Sequence, residues 1–311
     1  MNTSNKTLTV FTPAFNRDYS IGRCYESLKR QTCKDFIWLV VDDGSTDRTA
    51  ELIADWQSRE DNGFEIKYVY KENGGMHSAH NTAYENIDTE LNVCIDSDDY
   101  MTDDAVEKII NCWRQYGSDK YAGIIALDVY ENGKIIGLPL ETDRFDTTLY
   151  GYYRRGGKGD KKLIYRTDVM KKYPPYPEFE GEKYVALSYK YSKADREYTL
   201  IIMNEPVCVV EYMDDGSSTN MYRQYLKNPR GFAFLRKESM VEDNGFADMF
   251  RNCVHYVSSS IISGNKHFIS ESPKKFWTVA AIPFGAALTI YIRKKSGSRL
   301  AIDGDKSKKG N

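Results

Sequence analysis

The stretch Phe36-Ile37-Trp38-Leu39-Val40-Val41-Asp42-Asp43-Gly44-Ser45 decides the fold class. A short, wholly apolar run suits a central strand buried on both faces, as in a parallel sheet. It stops abruptly at two carboxylates, a glycine and a serine. Polar residues in that place lie where open α/β sheets bind their ligands, outside the carboxyl ends of the strands. Thr46 and Asp47 are both good N-caps, so a helix is expected to start there and run through Leu52, Ile53 and Trp56.

The same alternation extends outward in both directions. Leu8 to Thr12 reads as the first strand, and Arg17 to Gln31 places Tyr19, Ile21, Cys24 and Leu28 near helical spacing. Ile66 to Tyr70 is the next strand, Asn73-Gly74-Gly75 a turn, and Met76 to Asn86 a helix. Leu91 to Ile95 leads straight into Asp96-Ser97-Asp98-Asp99, so both acidic motifs close strands. Asp103 to Tyr116 reads as a helix. Ile124 to Tyr130 reads as a strand, joined through Glu131-Asn132-Gly133-Lys134 to Ile135-Ile136 as a hairpin. Repeated βα units predict an α/β fold with a mostly parallel central sheet flanked by helices. Beyond Tyr150 the pattern loosens, and Arg154-Arg155-Gly156-Gly157-Lys158-Gly159 reads as a mobile basic loop. The expected parts are residues 1–145, 146–225 and 226–311.

Composition narrows the function classes. The 311 residues are 41% hydrophobic and 28% charged, enough apolar material for a packed core and too much for general disorder. Lys+Arg 43 against Asp+Glu 45 gives −2, which offers no broad basic face for a nucleic-acid backbone. The six cysteines are scattered without a C-x-x-C pair, the usage of a reduced, cytosolic protein. Met1 to Lys6 is polar and has none of the layout of a signal peptide. The one membrane-grade stretch is Phe276 to Ile292, uncharged, between Lys274-Lys275 and Arg293-Lys294-Lys295. It is shorter than the ~20 residues of a spanning helix and contains Pro283 and Gly285. Its basic flanks fit a segment lying in or dipping into an anionic cytoplasmic leaflet, the alternative being a buried or docking helix. The expected location is cytoplasmic, peripheral to the membrane.

Three strand ends carry the candidate chemistry: Thr12 to Arg17, Asp42 to Ser45 and Asp96 to Asp99. Acids crowded at a strand end repel one another unless a cation offsets them, and carboxylates at D-x-D spacing suit Mg²⁺ or Mn²⁺ bridging to phosphate. Simple strand termination and capping is the plainer alternative. Asp42 and Asp43 could accept hydrogen bonds from a base N–H or ribose hydroxyls. His77 and His80 stand at i, i+3 without a third ligand, so a polar helix face near a nucleotide is expected in place of a metal site. Tyr150, Tyr152, Tyr153, Arg154 and Arg155 could form a sugar-stacking acceptor platform or an ordinary packed hairpin. Asp214-Asp215-Gly216-Ser217-Ser218 reads as a loop that could close over a donor. No G-x-G-x-x-G follows the first strand, which argues against a dinucleotide dehydrogenase. A phosphotransferase would use D-x-D differently, and Tyr100-Met101 suits it poorly.

On Thr12-Pro13-Ala14-Phe15-Asn16-Arg17, Val40 to Asp47, Asn73-Gly74-Gly75 and Asp96-Ser97-Asp98-Asp99, the chain resembles the family 2 glycosyltransferases of the GT-A fold, notably bacterial members that build surface polysaccharides. A weaker likeness runs through Lys162 to Arg166, Glu180 to Tyr184, Ile202 to Pro206 and Glu211-Tyr212. The resemblance implies metal-dependent, inverting transfer of a sugar from a nucleoside diphosphate, a UDP-sugar being the expected donor, to a glycan or lipid-linked acceptor. It implies that Thr12, Ala14 and Phe15 border the nucleoside, that Asp43 binds the base with Asp42 beside it, and that Asn16, Arg17, Asn73, Gly75 and Ser97 complete the donor contacts. Asp96 and Asp98 would hold Mn²⁺ or Mg²⁺, with Asp98 the stronger candidate. The general base would be Glu182, with Glu180 and Glu178 as substitutes. The chain departs from the family pattern at Lys183, where an acid is usual, at Leu187, where another register puts the base, and at Met76, where many relatives are basic. Loss of the base would leave a nucleotide-sugar-binding module.

Overall fold

The computed structural model describes residues 6–211, 221–242 and 245–306, with side chains up to residue 296. Met1 to Asn5, Tyr212 and the Asp214 to Ser218 loop lie outside the described residues. In chain order the elements are β1 (Leu8–Ala14), α1 (Ile21–Lys29), β2 (Phe36–Asp42), α2 (Thr49–Gln57), β3 (Glu65–Tyr70), α3 (Met76–Asn86), β4 (Leu91–Cys94), β5 (Tyr100–Met101), α4 (Ala105–Tyr116) and β6 (Tyr121–Val129). There follow β7 (Asp146–Thr147), α5 (Leu149–Arg154), β8 (Lys161–Arg166), α6 (Thr167–Lys172), α7 (Ser188–Ala194), β9 (Thr199–Val209), α8 (Met221–Lys227), α9 (Pro229–Ser239), α10 (Phe246–Ser263), α11 (Phe268–Glu271), α12 (Lys275–Ala280) and α13 (Ile282–Lys306).

One nine-stranded sheet runs β3-β2-β1-β4-β8-β6-β9-β5, with β7 paired to β9. Strands β3, β2, β1 and β4 are parallel, and β8 is antiparallel to both β4 and β6. All seven residues of β1 and of β2 are buried, as the apolar runs require. One face packs on Ile21, Cys24, Tyr25 and Leu28 of α1, and Tyr25 stacks on Trp56 at a centroid distance of 4.3 Å. Each such side chain contributes about 1.5–3 kcal/mol on burial. The order β2-β1-β4 makes the gap between β1 and β4 the point where the chain reverses its direction of winding, and open sheets form their ligand crevice there.

The chain divides into two compact units, Met1–Tyr176 with Lys190–Met213, and Pro177–Tyr189 with Asp214–Asn311. A line at residue 145 falls inside the first unit, because β7, β8 and β9 complete the same sheet. In the second unit, Met240, Cys253, Tyr256, Val257 and Ala281 form a separate small core among α9, α10 and α12. Phe276 to Ile292 is not one helix. It breaks at Ala281, and Pro283 occupies the first turn of α13, where a missing N–H costs nothing. Among the described residues, no helix is long and apolar enough to cross a membrane.

Local departures have local causes. Helix α1 starts at Ile21, leaving Tyr19 outside it and exposed. Helix α2 starts at Thr49, because Asp47 is held further out, taking the Thr49 N–H on one carboxylate oxygen (3.0 Å) and the Asp18 N–H on the other (3.0 Å). The expected hairpin after β6 shrinks to one bridge, Val129 to Ile135. Residues 149–154 form the short helix α5 with Tyr152 buried, and Arg155 forks onto Glu141 at 2.5 and 2.6 Å.

Candidate functional site

The loops after β1 and β2 are joined into one rim. Asn16, in the left-handed region at φ 53, donates its N–H to Ser45 Oγ (2.9 Å) and accepts from the Thr46 N–H (2.8 Å). The Arg17 N–H reaches Thr49 Oγ1 at 2.9 Å. Phe15 stands half-exposed above this rim, while Ala14 is buried. Thr12 faces the core instead: fully buried, its hydroxyl accepts from Trp38 Nε1 (3.0 Å) and lies 3.7 Å from Cys24 Sγ.

The paired aspartates are both occupied. Asp42 is completely buried, with Oδ1 taking the Ser45 N–H (2.7 Å) and Oδ2 the Tyr68 hydroxyl (2.6 Å). Burial and the neighbouring Asp42 charge push the Tyr68 hydroxyl up, so it stays a donor. Asp43 Oδ1 accepts from Lys71 Nζ (2.8 Å) and the Gly74 N–H (2.9 Å), and Oδ2 accepts from the Gly75 N–H (2.7 Å). The Asn73-Gly74-Gly75 turn is therefore tied to the end of β2 just before α3 begins. Gly44, at φ 84, lets the Asn73 backbone approach so closely that a Cβ there would meet its nitrogen at 2.8 Å.

After β4 the four-residue acidic turn separates its members. Asp96 and Asp98 are partly exposed, whereas Ser97 and Asp99 are buried. Asp99 turns inward to Lys162 Nζ, 4.0 Å from Oδ2, and accepts the Glu211 N–H at 3.3 Å. Lys162 also lies 3.8 Å from Oδ1 of Asp128, a carboxylate oxygen that has no hydrogen bond. Asp128, Asp99 and Asp96 therefore share one buried ammonium, and Asp98 adds its charge beside Asp99. Burial alone would push Lys162 down, but Asp128, Asp99 and Asp96 hold it well above the ordinary lysine value. Burial pushes Asp99 up to about 7 and Asp128 up to about 6, with Lys162 opposing it and the other acids adding to it. A cavity of about 360 Å³ is lined by Tyr100, Tyr130, Glu131, Asn132 and Glu211, the last being the residue whose N–H Asp99 accepts. A larger one of about 480 Å³ lies at the opposite end of β4 and is lined by mutually paired charges, including Arg166 with Asp168 and Lys171 with Asp88.

Asp128 and Lys162 are the members that motif reading passed over. A lone acid near the end of Ile124-Ile125-Ala126-Leu127-Asp128-Val129 was the available signal. Lys161 and Lys162 face opposite sides of β8, and Lys161 spends its charge on the carbonyls of Ile136, Lys158 and Asp160 at 3.0–3.1 Å. His80 corrects another expectation. It is not on a polar face but fully buried among the rings of Phe11, Tyr84 and Tyr176, and burial depresses it to about 3. Among the described residues, no group of three His, Cys, Asp or Glu side chains is arranged to hold a metal by itself.

In the second unit, Glu182 serves the start of α9. Oε1 accepts from the N–H and Nε of Arg230 (both 3.0 Å), and Oε2 accepts from the Gly231 N–H (2.9 Å). These are among the first N–H groups of the helix, which have no partner of their own within it.

The sequence profile of glycosyl transferase family 2 matches residues 9–173, more than half of the chain and the whole of this rim and acidic turn. The chain belongs to that family. Among curated proteins, it is 31% identical over 116 residues to the glycosyltransferase GlyA of Streptococcus pneumoniae serotype 4, covering 37% of this chain and 16% of that protein. It is 34% identical over 113 residues to a chondroitin synthase of Pasteurella multocida, covering 36% of this chain and 11% of that one. The match thus spans well under a third of these relatives' lengths. Among solved structures, S. aureus TarS 1–349 in complex with UDP-GlcNAc superimposes with a TM-score of 0.59 at 18% identity over 93% of this chain and 88% of that one. The mannosyltransferase PcManGT of Pyrobaculum calidifontis, in complex with GDP-Man and Mn²⁺, gives 0.53 at 16% identity over 98% and 81%. These likenesses show the fold, a GT-A type α/β architecture.

Proposed function

We propose that the chain is an inverting glycosyltransferase that moves a sugar from a nucleoside diphosphate, a UDP-sugar by preference, to a glycan or lipid-linked acceptor beside a cytoplasmic membrane face. The observation that carries this reading is the excess of acid at the β1/β4 switch point, four carboxylates against Lys162. That imbalance fits a divalent cation. Asp96 and Asp98, hard oxygen donors and both partly exposed, would hold Mn²⁺ or Mg²⁺, with donor phosphates and water supplying the other ligands. When bound, the ion offsets charge on the leaving diphosphate. The half-exposed Phe15 ring and the Asn16-Arg17 rim would border the nucleoside, and Asp43, oriented by Lys71, Gly74 and Gly75, would meet the base. The cavity bounded by Tyr100, Tyr130 and Glu211 is the proposed sugar site.

In an inverting displacement, the acceptor oxygen bonds to the anomeric carbon as the bond to diphosphate oxygen breaks, and its proton passes to a base within about 2.6–3.2 Å. Glu182 is the residue that the family resemblance offers. Its three hydrogen bonds to Arg230 and Gly231 favour a second reading, in which Glu182 anchors α9 and the base is another carboxylate. The test of the function is a panel of UDP-, GDP-, dTDP- and CMP-sugars titrated with and without Mn²⁺, scoring binding and slow donor hydrolysis, in parallel with Asp98→Asn. Metal-dependent binding of one nucleotide class, lost in Asp98→Asn, is expected. Failure of every donor to bind would overturn the reading.

A further inference from the structure

Helix α13 is apolar on two faces: one packs on α10, and the other stays largely exposed, although Tyr291 on it meets the Tyr222 ring of α8 at 5.8 Å. Ala281, Gly285, Thr289, Ile292 and Ser296 form a buried stripe at helical spacing. Gly285 comes so close to α10 that a Cβ would lie 2.5 Å from Val257 Cγ1, and Thr289 Oγ1 is 3.0 Å from Ser258 Oγ. A surface helix fixed by one such stripe ordinarily turns charged and polar residues outward. Here the outward positions are Pro283, Phe284, Ala287, Ile290 and Tyr291, with Phe284 57% and Ile290 69% exposed.

That face continues into a cluster of rings from two other helices. Trp277 meets Phe246 at 4.8 Å and Phe276 at 4.9 Å, and Phe250 meets Phe246 at 5.9 Å and Phe284 at 5.8 Å. Phe246 and Phe276, the outer members, are 59% and 73% exposed. Phe246 lies thirty positions before the apolar segment and joins it only in the fold. Contiguous exposed apolar surface of this kind marks an interaction site.

Charge selects the partner. From Ser272 to Ile302 the sequence contains no acid, while Lys274, Lys275, Arg293, Lys294, Lys295 and Arg299 bracket the apolar residues. A protein partner or a second copy of this near-neutral chain would have to supply matching acids, whereas an anionic bilayer presents them continuously around an apolar interior. We propose that Phe246, Phe276, Phe284, Ile290 and Tyr291 form a docking face that lies flat in the interface of an anionic lipid bilayer. This deepens the membrane-side reading of the function and rests on it. The helix enters only with its outward face, because the opposite stripe stays packed on α10.

The test is sedimentation of the full chain with vesicles of phosphatidylcholine alone and of phosphatidylcholine with phosphatidylglycerol, at low and high salt. The comparison protein carries Phe276→Asn, Phe284→Asn and Ile290→Asn together, all three being solvent-facing. Binding to the phosphatidylglycerol vesicles, weakened by salt and reduced at least ~100-fold by the triple substitution, is expected. No binding, binding indifferent to phosphatidylglycerol, or binding unchanged in the triple variant would overturn the proposal. So would a parent dimer that the triple variant converts to monomer without vesicle binding, since the face would then serve self-association. Each protein's unfolding midpoint excludes a folding defect. Donor hydrolysis in solution, measured on the same samples, separates failure of docking from failure of the transferase reading.

Discussion

Replacing Lys162 with methionine keeps most of its volume and removes the cation that lies between Asp99 and Asp128. The lysine sits 4.0 Å from one and 3.8 Å from the other, with its side chain 11% exposed. At such separations each pair is worth about 4 kcal/mol for an effective dielectric constant near 20, before desolvation is subtracted. Removing one partner of a buried pair costs about 3–5 kcal/mol, because the remaining charge stays buried. The expected loss in urea unfolding at pH 8 is therefore about 3–5 kcal/mol. Asp128 gives the effect its pH signature. Its folded value of about 6 lies above the ordinary aspartate value, so the native state binds a proton that the unfolded state releases, and this group's contribution to stability falls as pH rises through that window. Without Lys162 the burden of the ionised form grows, so the variant's deficit should be larger at pH 8 than at pH 5. Adding Asp128→Asn should recover part of it, a coupling that a double-mutant cycle reads directly. An equal loss at both pH values, with no recovery in the double variant, would show that Lys162 acts through packing alone and refute the charge argument.

Gly44→Ala forces a left-handed φ of 84 on a residue with a Cβ and sets that atom 2.8 Å from Asn73 N, so a loss of about 1–3 kcal/mol is expected by urea unfolding, together with weaker nucleotide binding. His80 has a folded value of about 3 against an unfolded 6.5, so the unfolded state binds the extra proton between them and stability falls as pH drops below 6.5. His80→Phe should remove up to about 1.4 kcal/mol per pH unit from that slope, and an unchanged slope between pH 6.5 and 4 would count against it. Glu182→Gln turns an amide donor toward N–H groups that need an acceptor, so the anchoring role expects about 1–2 kcal/mol lost with turnover per folded molecule kept. A base would instead give abolished turnover with donor binding intact.

How much the sequence disclosed follows from how local each signal is. Strands β1, β2 and β4 and the three polar strand ends were legible because an apolar run and the motif that stops it are contiguous in the chain. The partners of those motifs were not. Asp43 needs Lys71, Gly74 and Gly75, and Asp99 needs Lys162, pairings made across neighbouring loops and strands. Glu182 reads in isolation as a candidate general base, and the backbone N–H groups it accepts from, 48 and 49 residues away, are not visible to a motif. His80 illustrates the same limit at the level of burial: i, i+3 spacing with His77 shows which face of α3 it occupies, not that Phe11, Tyr84 and Tyr176 cover that face. Phe276 to Ile292 was visible as an apolar segment, but its division into a packed stripe and an outward face depends on Val257 and Ser258 of α10.

The adjacent aspartates of β2 show why identical side chains take different work. Strand alternation sends Asp42 and Asp43 to opposite sides as the strand ends. Asp42 is buried, and its two oxygens bind the Ser45 N–H and the Tyr68 hydroxyl, so it holds the turn and has no open approach for a ligand. Asp43 uses three of the roughly four acceptor directions of a carboxylate on Lys71, Gly74 and Gly75. One direction remains, fixed by rigid neighbours and not by a freely turning side chain. An acceptor held in that way discriminates among donors by geometry at little entropic cost, which is what recognition of a planar base edge requires. On the role proposed for Asp43, substituting Lys71 should loosen base selectivity before it abolishes binding, whereas substituting Asp42 should undo the turn itself.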